Sequence, residues 1–557
     1  MRFKKTKLTI LFVFLNLFAL FSSFLFIEQI YKLQFSQSEY FKNQALSNRQ
    51  KVEVLEARRG TILDRNFNDI SESVNSFNIG IYPNQIKDKE NAAELLAPLL
   101  KIDKSLIYEK FNNNKNYFYL KRNVDFDVGS KINNWNYEGI NVEKSSKRIT
   151  YSDSLKKIVG HVDPDGNGIE GLELYFDNSL KGKDGELRYE AAPNGDFIPQ
   201  GKSNIIDPIH GEDLILTIDS ELQYISENLC IDALKETEAF KCSVVFVNAE
   251  NGEIIISAEK SNINNKYFNI NLISGRALYE PGSALKIFTV GSLLANGLIN
   301  ENDTYYVEDK IEIIEGSCQE LYEGFEGCFR DFLKHEPYQL SVKEIIERSS
   351  NVGTIIVTEV SSVTEIESYL MKFGFTEKTG VELTGEAKGR FIDYKNCLTC
   401  LSSLSIGYSA QVSQYQMVRA YSIIANGGNH VKLTLVQKEK LENEKNEVIS
   451  AEMSNRLKNL LINVVEGENG TGKSLRKDGY IIGGKTGTSR THLEGVGYSE
   501  DRFNTSFTGF VETKEGPIVG SVLLWGAKTN QRSEYVTGGS TAAPIFKKII
   551  SYFAPKD

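Results

Sequence analysis

The chain has 557 residues and a formal net charge of −10, and its pI is near 5.4. A single hydrophobic core rarely grows beyond roughly 250–300 residues, so at least two cores are expected. Apolar residues make up 41% and charged residues 25%, which excludes a broadly disordered chain. A mean hydropathy of −0.30 excludes a protein made mostly of membrane spans. The acidic balance argues against binding of a nucleic-acid backbone.

The N-terminal segment departs from this average. Met1–Lys7 carry basic residues and no acid, and Leu8–Ile27 carry no charge. A helix of roughly 20 apolar residues crosses the hydrocarbon core of a bilayer, and the basic flank predicts a cytoplasmic N-terminus. The alternative is a cleaved signal peptide, but its apolar stretch is shorter, and Phe24–Phe26 stand where small residues would be needed. We therefore expect an uncleaved membrane anchor.

The elements after the anchor change character along the chain. We expect a helix to continue from Glu28 to about Glu56, and short strands and turns from about residue 57 to 205. Asp219 has the position of a helix N-cap after a strand at Leu214–Ile218. Helical patterns dominate from 282 to 470. Further strands are predicted at Val244–Val247 and Glu253–Ser257 (a hairpin), Tyr480–Gly483, Thr505–Val511 and Ile518–Trp525, with a final helix at Ala543–Phe553. This order favours an α+β fold with an antiparallel sheet.

The cysteines bear on the compartment and on local structure. All of them follow the predicted anchor: Cys230, Cys242, Cys318, Cys328, Cys397 and Cys400. An even number of cysteines in an oxidising compartment permits disulfides, although six allow 15 connectivities. Cys318 and Cys328 are spaced to close a small loop. Cys397 and Cys400 have neither a second C-x-x-C for zinc nor a thioredoxin-like pattern around them. We therefore expect a structural role, as local disulfides or buried thiols.

The C-terminal half contains a serine whose hydroxyl can be activated by a base other than histidine. A serine hydroxyl is a weak nucleophile until a base takes its proton, and the five histidines are scattered without triad or metal-site spacing. Ser283 and Lys286 share one face of a helix predicted to begin after Pro281-Gly282. The positive end of that helix disfavours a protonated lysine. The same S-x-x-K spacing also occurs at Ser154/Lys157, Ser257/Lys260 and Ser474/Lys477.

Two further motifs support a catalytic role for the Ser283/Lys286 pair. Ser349-Ser350-Asn351 follows the helical run Val342–Arg348 and supplies a hydroxyl and an amide. Lys485-Thr486-Gly487-Thr488 follows the apolar segment 480–484, whereas a second K-T-G at 378–380 follows no apolar strand. Lysine and threonine suit a carboxylate, and glycine allows a substrate backbone to lie along the strand. The three motifs in this order match the penicillin-binding set.

With these motifs the chain resembles the class B penicillin-binding proteins, the monofunctional peptidoglycan D,D-transpeptidases, over almost its whole length. The Ser-Ser-Asn form, with Glu280 before Pro-Gly, is similar to the cell-division (septal) branch. Ser489-Arg490 and the Cys397–Cys400 segment depart from the family pattern and leave side-chain selectivity open. Other segments that carry the resemblance are Arg59–Arg65, Gly171–Phe176 with Leu180–Gly182 and Gly185, Asp213–Asp219 with Gln223, Tyr279–Ser283, Gly407-Tyr408 and Ala425–Gly428.

The resemblance implies an architecture and a location. It implies an α+β protein with one transmembrane helix, an elongated mixed α/β pedestal, and a β-lactamase-like transpeptidase domain whose central antiparallel sheet is flanked by helices. The implied location is the bacterial inner membrane, with a cytoplasmic N-terminus and a periplasmic catalytic domain. The expected parts are a tail (1–7), an anchor (8–27), a stem and pedestal (28–207) and a transpeptidase domain (208–557).

The resemblance also implies residue roles. Ser283 attacks the penultimate D-Ala carbonyl of a stem peptide, with Lys286 as general base. Ser349 passes a proton toward the leaving amine, Lys485 tunes the charge, and Asn351 orients the substrate amide and Lys286. The backbone N–H groups of Ser283 and Thr488 form an oxyanion hole. Substrate binding is assigned to Thr486, Gly487 and Thr488. A structural role, through ion pairs between stem and pedestal, is expected for the motif residues Arg59, Gly60, Asp64, Arg65 and Glu173.

The implied partners are peptidoglycan stem peptides, β-lactams, the membrane through one helix, and a septal glycan polymerase with other division proteins. No nucleic acid, metal or other cofactor is implied. Three alternatives remain open. One is a D,D-carboxypeptidase or β-lactamase, in which water deacylates the enzyme, and another is a penicillin-binding receptor or scaffold. The third is nucleotide binding at Gly467–Ser474, which matches the Walker A pattern but follows a helical pattern where a P-loop follows a strand.

Overall fold

The computed structural model describes residues 2–37, 39–40, 50–192, 198, 203–269, 273–319, 327–392, 397–437, 446–493, 495, 497–528 and 536–556. The chain divides into two compact units. The first unit is Met1–Arg59 with Lys181–Glu212, and the second is Gly60–Leu180 with Asp213–Asp557.

The strands of the described residues are, in chain order, β1 (Gln50–Leu55), β2 (Ile62–Leu63), β3 (Asp69–Ile81), β4 (Phe118–Asp125), β5 (Ile140–Thr150), β6 (Gly185–Glu190), β7 (Ser203–Ile206), β8 (Leu214–Ile215), β9 (Lys241–Asn248), β10 (Ile254–Ile263), β11 (Lys266–Asn269), β12 (Thr304–Val307), β13 (Lys310–Glu312), β14 (Cys328–Arg330), β15 (Tyr338–Ser341), β16 (Arg390–Phe391), β17 (Ala410–Gln411), β18 (Ile482–Leu493), β19 (Gly497–Thr513) and β20 (Gly516–Lys528).

The α-helices whose bounds lie within the described residues are α1 (Arg2–Tyr31), α2 (Lys89–Leu100), α3 (Lys104–Asn113), α4 (Phe126–Asn133), α5 (Lys156–Val159), α6 (Gly171–Tyr175), α7 (Asp177–Leu180), α8 (Ser220–Thr237), α9 (Ile273–Arg276), α10 (Lys286–Ala295), α11 (Val342–Arg348), α12 (Asn351–Thr358), α13 (Val363–Lys372), α14 (Cys400–Ser405), α15 (Gln414–Ala425), α16 (Ala451–Glu466) and α17 (Gly538–Ile550). Short 3₁₀ helices span Gly282–Leu285 and Lys473–Leu475, and a π-helical turn spans Lys32–Ser36.

The first unit contains the apolar helix and a small sheet. Within the helical segment, Leu8–Phe35 is long and apolar enough to cross a membrane, which agrees with the predicted anchor. The prediction that a helix continues to about Glu56 is wrong at its end, because Gln50–Leu55 is a strand. Its alternating sequence contains the β-branched residues Val52 and Val54, which favour a strand, and β6 pairs with it antiparallel. The strand order of this sheet is β1-β6-β7.

The N-terminal part of the second unit is built on the long strand β3. It pairs antiparallel with β2, β4 and β5, and β2 in turn pairs parallel with β8. Helices α2, α3 and α4 contribute to one buried apolar cluster with the C-terminal half of β3. A second buried cluster includes Ile62 and Leu172 from this part together with Leu216 and many residues of the C-terminal part. The two parts of this unit therefore share a core.

The C-terminal part is organised around a six-stranded antiparallel sheet in the order β11-β10-β9-β20-β19-β18. Successive side chains of a strand point to opposite faces. Val244 and Phe246 therefore pack in a cluster with α8 and α17, and Val245 and Val247 pack in the cluster that contains α10, α15 and α16. The predicted central antiparallel sheet flanked by helices is confirmed, as is the hairpin of β9 and β10.

Two helices begin at residues whose side chains cap them. Asp219 is the N-cap of α8, and its side chain accepts hydrogen bonds from the N–H groups of Glu221 and Leu222. The last helix begins at Gly538, before the predicted start, because Thr537 and Ser540 form a capping box there.

All six cysteines are paired in disulfides. Cys230–Cys242 joins α8 to β9, Cys318–Cys328 closes a loop that ends at β14, and Cys397–Cys400 lies at the start of α14. This outcome agrees with the structural role expected for the cysteines, and in particular with the small loop predicted for Cys318 and Cys328.

Candidate active site

A cleft of about 670 Å³ brings the three sequence motifs together. Ser283, Ser349, Asn351, Thr486 and Thr488 all line it. The two motif lysines, Lys286 and Lys485, are fully buried. The motifs are distant in sequence, so the tertiary fold has to place them side by side. Their meeting at one cleft makes it the candidate active site.

The serine lies in a tightly packed turn. Ser283 is in the 3₁₀ helix that continues directly into the buried helix α10. The N–H of Gly282 donates to the carbonyl of Gly407 at 3.1 Å, and the Tyr421 hydroxyl donates to the carbonyl of Ala284 at 2.8 Å. A Cβ at Gly407 would lie 1.9 Å from the carbonyl oxygen of Gly282. Only glycine at position 407 therefore permits this approach.

Lys286 has a buried amine that is held by two hydrogen bonds. Its Nζ donates to the Ser349 carbonyl oxygen at 2.7 Å and to Oδ1 of Asn351 at 2.7 Å. Burial lowers the pKa of Lys286 to about 7, against the opposing charge of Asp331. A neutral amine that donates to two acceptors retains its lone pair. Lys286 can therefore take up a proton near neutral pH.

The S-S-N motif connects two helices. Ser349 caps the end of α11 in the left-handed conformation, with φ 61° and ψ 34°. Ser350 is the N-cap of α12 and accepts a hydrogen bond from the N–H of Gly353 at 2.8 Å. Asn351 begins α12, and its Nδ2 donates to the carbonyl of Arg330 at 2.8 Å. Because its Oδ1 accepts from Lys286, both ends of the Asn351 amide are fixed.

Lys485 places a second amine at the site. Burial lowers its pKa well below the ordinary lysine value, and the charge of Lys286 lowers it further. Two like charges in one buried region disfavour each other. Protonation of one of these amines therefore disfavours protonation of the other.

Strand β18 lies directly against the serine turn. A Cβ at Gly487 would lie 2.9 Å from the carbonyl oxygen of Pro281 and 2.3 Å from Oγ of Ser506. The Thr486 hydroxyl donates to Oγ1 of Thr471 at 2.8 Å. Thr488 Oγ1 accepts a hydrogen bond from the N–H of Gly538 at 3.2 Å. The absence of a side chain at position 487 therefore allows the strand and the turn to form two walls of one cleft.

Sequence reasoning missed several cleft residues. Those outside the three motifs include Asp331, His335, Arg348, Tyr408, Asn469, Thr471, Lys473, Thr537 and Gly539. Tyr408 and Thr471 had a signal, since Tyr408 belongs to the Gly407-Tyr408 signature and Thr471 to the segment Gly467–Ser474. Asp331 and His335 had none, because they belong to no motif and reach the site only through the fold.

The segment Gly467–Ser474 belongs to this cleft. It follows helix α16, which ends at Glu466, so it lacks the preceding strand that a P-loop requires. Asn469, Thr471 and Lys473 line the cleft, and the N–H of Asn469 donates to the buried carboxylate of Glu347 at 2.6 Å. The geometry therefore favours a role in the wall of the cleft over nucleotide binding.

The remaining predicted residues lie elsewhere. In the part of the cleft lining that the structure describes, none of Arg59, Gly60, Asp64, Arg65 or Glu173 is present. Asp64 accepts hydrogen bonds from Ser220 Oγ at 2.6 Å and from the N–H groups of Asn66 and Asn68. Glu173 forms a buried ion pair with Arg148 at 2.6 Å. The backbone N–H of Gly60 donates to the carbonyl of Leu180, and the backbone N–H of Arg65 donates to the carbonyl of Ile218. Arg59, which belongs to the first unit, is buried.

The other S-x-x-K serines have structural contacts. Ser154 Oγ donates to Glu227 at 2.7 Å, Ser257 Oγ lies 2.9 Å from the Tyr415 hydroxyl, and Ser474 Oγ donates to the Gly539 carbonyl at 3.3 Å. Of the four S-x-x-K serines, Ser283 is among the described residues that line the cleft, and the other three are not.

Comparison with known proteins supplies an independent view. A family model described as the penicillin binding protein transpeptidase domain matches residues 242–551, and one described as the penicillin-binding protein dimerisation domain matches residues 54–216. Stage V sporulation protein D of Bacillus subtilis is 26% identical over 549 residues, covering 94% of this chain and 82% of that protein. The probable peptidoglycan D,D-transpeptidase PenA of Neisseria gonorrhoeae is 26% identical over 540 residues, covering 93% and 88%.

A solved structure has the same fold. The crystal structure of penicillin-binding protein 3 from Mycobacterium tuberculosis, complexed with aztreonam, superimposes with a TM-score of 0.65. It is 22% identical in sequence, and the match covers 90% of this chain and 96% of that one.

Proposed function

The chain belongs to the penicillin-binding protein transpeptidase family and is a serine-type peptidoglycan D,D-transpeptidase, and we propose a residue-level mechanism for it. The observation that carries the proposal is the position of Lys286. Its buried amine, with a pKa lowered to about 7, contacts both Ser349 and Asn351 beside the cleft that Ser283 lines. This arrangement supplies a base for a serine without a histidine.

In the acylation step, Ser283 Oγ attacks the penultimate D-Ala carbonyl carbon of a stem peptide. Lys286 takes the hydroxyl proton as the new C–O bond forms. The oxyanion of the tetrahedral intermediate accepts hydrogen bonds from the N–H groups of Ser283 and Thr488. The C–N bond then breaks, and the amine of the terminal D-Ala leaves with a proton that Ser349 transfers.

In the deacylation step, an amine from a second stem peptide attacks the acyl carbon. The C–O bond to Ser283 breaks, the serine recovers a proton, and the new amide is the cross-link. Lys485 receives or supplies a proton as the charge changes, which its lowered pKa supports. The hydroxyls of Thr486 and Thr488, together with the buried amines of Lys286 and Lys485, favour binding of the substrate's terminal carboxylate at Gly487.

We assign the enzyme to septal wall synthesis at the inner membrane. The Ser349-Ser350-Asn351 form supports the septal branch. The basic residues before the helical anchor support a cytoplasmic N-terminus, and the three disulfides support an oxidising compartment, the periplasm, for the catalytic part. The partners that follow are a septal glycan polymerase and other division proteins in the same membrane. The transpeptidase part is assigned to residues 208–557, which include the matched transpeptidase region.

Labelling with a fluorescent penicillin tests the mechanism. We expect one adduct, on Ser283, that is lost in Ser283→Ala and forms at least about 10²-fold more slowly in Lys286→Ala. Ser154→Ala is the matched control, because it removes a serine of the same S-x-x-K spacing that donates to Glu227, and it should label like the wild type. An adduct on Ser154, or labelling that persists in Ser283→Ala, would contradict the proposal.

A second measurement separates the alternatives. With a stem-peptide donor and an acceptor amine present, a transpeptidase forms a cross-linked product, and a carboxypeptidase releases D-Ala alone. A β-lactamase would release hydrolysed penicillin within seconds, whereas we expect a long-lived adduct. Restored division with wild-type protein but not with Ser283→Ala would exclude a receptor that acts only as a scaffold.

A further inference from the structure

One wall of the cleft comes from a segment outside the three motifs. This segment follows strand β14, which pairs with β13 and begins at the disulfide-bonded Cys328. It carries Asp331 and His335, and both line the cleft. Their side chains are only 9% and 13% exposed. Two titratable groups thus lie at the cleft without a role in the mechanism above.

Asp331 fixes the start of helix α12. Its Oδ1 accepts hydrogen bonds from the N–H groups of Asn351 at 2.5 Å and Val352 at 3.0 Å. Its Oδ2 accepts from Ser350 Oγ at 2.8 Å. The first N–H groups of a helix lack partners within the helix, and a carboxylate there also interacts favourably with the helix dipole. Asp331 therefore caps α12 from outside the helix.

His335 contacts Asp331 from the other side. Its Nε2 lies 3.1 Å from Oδ2 of Asp331, and its Nδ1 lies 2.8 Å from the carbonyl oxygen of Glu336. Both neighbours are acceptors. A neutral imidazole donates from one nitrogen only, whereas an imidazolium donates from both. The surroundings of the ring therefore suit the protonated form.

The charges around the ring agree with this. Burial opposes protonation, but the Glu336 carbonyl and the carboxylates of Asp331 and Asp309 raise the pKa of His335 above its ordinary value of 6.5. From α11, the Arg348 guanidinium lies 5.0 Å from the Tyr338 ring, and His335 stacks on that ring at 4.6 Å. The exposed Lys334 and Glu336 are its chain neighbours.

A continuous set of contacts leads from His335 to the base. Asn351 is held by three hydrogen bonds. Its backbone N–H donates to Asp331, its Nδ2 donates to the carbonyl of Arg330, and its Oδ1 accepts from Lys286. The position of the Asn351 amide, and with it the Lys286 amine, thus depends on Asp331. The negative charge of Asp331 also raises the pKa of Lys286, against the effect of burial.

We propose that Asp331 and His335 are positioning residues for acylation: the imidazolium fixes Asp331, and Asp331 fixes Asn351 against the amine of Lys286. This inference rests on the proposed function of Lys286 as the base. Neither side chain touches the reacting atoms in that mechanism. Loss of the His335 proton removes one of the two donated hydrogen bonds and loosens Asp331, so the pair makes acylation depend on the protonation of a group outside the motifs.

The pH profile of acylation tests the pair. In the wild type, the second-order rate constant with penicillin should rise through about pH 7 as Lys286 loses its proton, and it should fall where His335, whose pKa is raised above its ordinary value, loses its own proton. His335→Gln retains a donor toward Asp331 but does not titrate, so it should remove the falling limb. His335→Phe removes the donor and should slow acylation on the order of tenfold at the pH values where His335 of the wild type is protonated.

The matched control is His161→Gln. His161 also lies near a carboxylate, with its Nδ1 3.3 Å from Glu170, but it is 63% exposed and does not line the cleft where the structure describes it. Its variant should keep the wild-type profile. A falling limb that persists unchanged in His335→Gln would overturn the proposal.

Asp331→Asn provides a second, independent readout. The variant retains an acceptor for the helix but lacks the charge that favours protonated Lys286, so the rising limb should move to lower pH. An unmoved rising limb would contradict the assignment of Asp331. Failure of the proposed function is distinguishable from both outcomes, because it would appear as absent labelling of Ser283 in the wild type.

Discussion

Ser349 combines a hydroxyl that the proposed mechanism uses with a strained backbone. At φ 61° it adopts a left-handed conformation that costs a residue with a Cβ roughly 1–2 kcal/mol. In this conformation its carbonyl accepts a hydrogen bond from Lys286 Nζ at 2.7 Å. Glycine is the residue that most often ends a helix in this way. The serine therefore lowers stability at a position where the proposed mechanism uses its side chain.

Replacing Ser349 separates the two properties. We expect Ser349→Gly to raise the free energy of unfolding by up to about 1 kcal/mol, because glycine adopts positive φ without strain, and to slow penicillin acylation. Ser349→Ala is the matched control, since it also removes the hydroxyl but retains the strain. Thermal unfolding and acylation rates would be measured for both variants. A glycine variant less stable than the alanine variant would contradict this account.

At the scale of elements, the site depends on how closely strand β18 approaches the serine turn. Gly487 faces both the Pro281 carbonyl and Ser506 Oγ, which lie 2.9 and 2.3 Å from the position of an added Cβ. Even a methyl group there must move the strand, the turn or the Ser506 side chain. Because Thr486 and Thr488 lie on this strand, its movement displaces the proposed carboxylate contacts and one proposed oxyanion donor together.

Gly487→Ala should therefore reduce the acylation rate by about 10²-fold, the effect of misplacing reacting groups by about 1 Å, and lower the melting temperature. The double variant Gly487→Ala/Ser506→Ala removes the nearest clash but leaves the Pro281 carbonyl. We expect it to recover stability while acylation remains slow. Ser506→Ala alone is the control. Full recovery of acylation in the double variant would show that the close approach to the turn is unimportant.

The elements also show what a sequence can and cannot predict. The residues of each motif are neighbours within one turn, helix start or strand, so Ser283, Lys286 and Thr488 were identifiable from local spacing. Asp331 comes from a separate hairpin and reaches Asn351 only in the folded chain. The error at Gln50–Leu55 has a related cause, because a strand depends on its partner β6, which follows much later in the chain.

At the scale of the molecule, the disulfides act in different regions. Cys230–Cys242 lies in the core cluster beneath the sheet, away from the described cleft lining. Cys318–Cys328 closes the loop that leads into β14 and Asp331. The sequence separations are 12 and 10 residues, so loop closure predicts a similar stabilisation of about 3 kcal/mol for each. Any difference between them in function must therefore come from position.

Double serine variants test this difference. Replacing Cys230 and Cys242 should lower the free energy of unfolding by about 3 kcal/mol and leave the acylation rate of the folded protein unchanged. Replacing Cys318 and Cys328 should lower stability by a similar amount and also slow acylation, because Arg330 and Asp331 lose their support. Chemical unfolding and penicillin labelling would be compared. Equal acylation rates in the two variants would contradict the role assigned to the hairpin.

The strand order of the central sheet shows, for the whole fold, that contacts between distant parts of the sequence are not predictable from local patterns. The hairpin of β9 and β10 was predictable from two apolar runs and a turn. The pairing of β9 with β20 joins distant parts of the sequence and had no local signal. The class of fold followed from the order of strands and helices, but the neighbours of each strand are set by how the buried faces pack together.

The pairing of the cysteines has a consequence for how the protein matures. Each disulfide joins a cysteine to the next cysteine along the chain. Under the topology proposed above, export from the anchored N-terminus presents the cysteines in that same order, so each pair is able to close before the next cysteine emerges. Of the 15 connectivities open to six cysteines, vectorial oxidation selects this one without reshuffling. For a chain exported in this way, a thiol oxidase suffices without a disulfide isomerase.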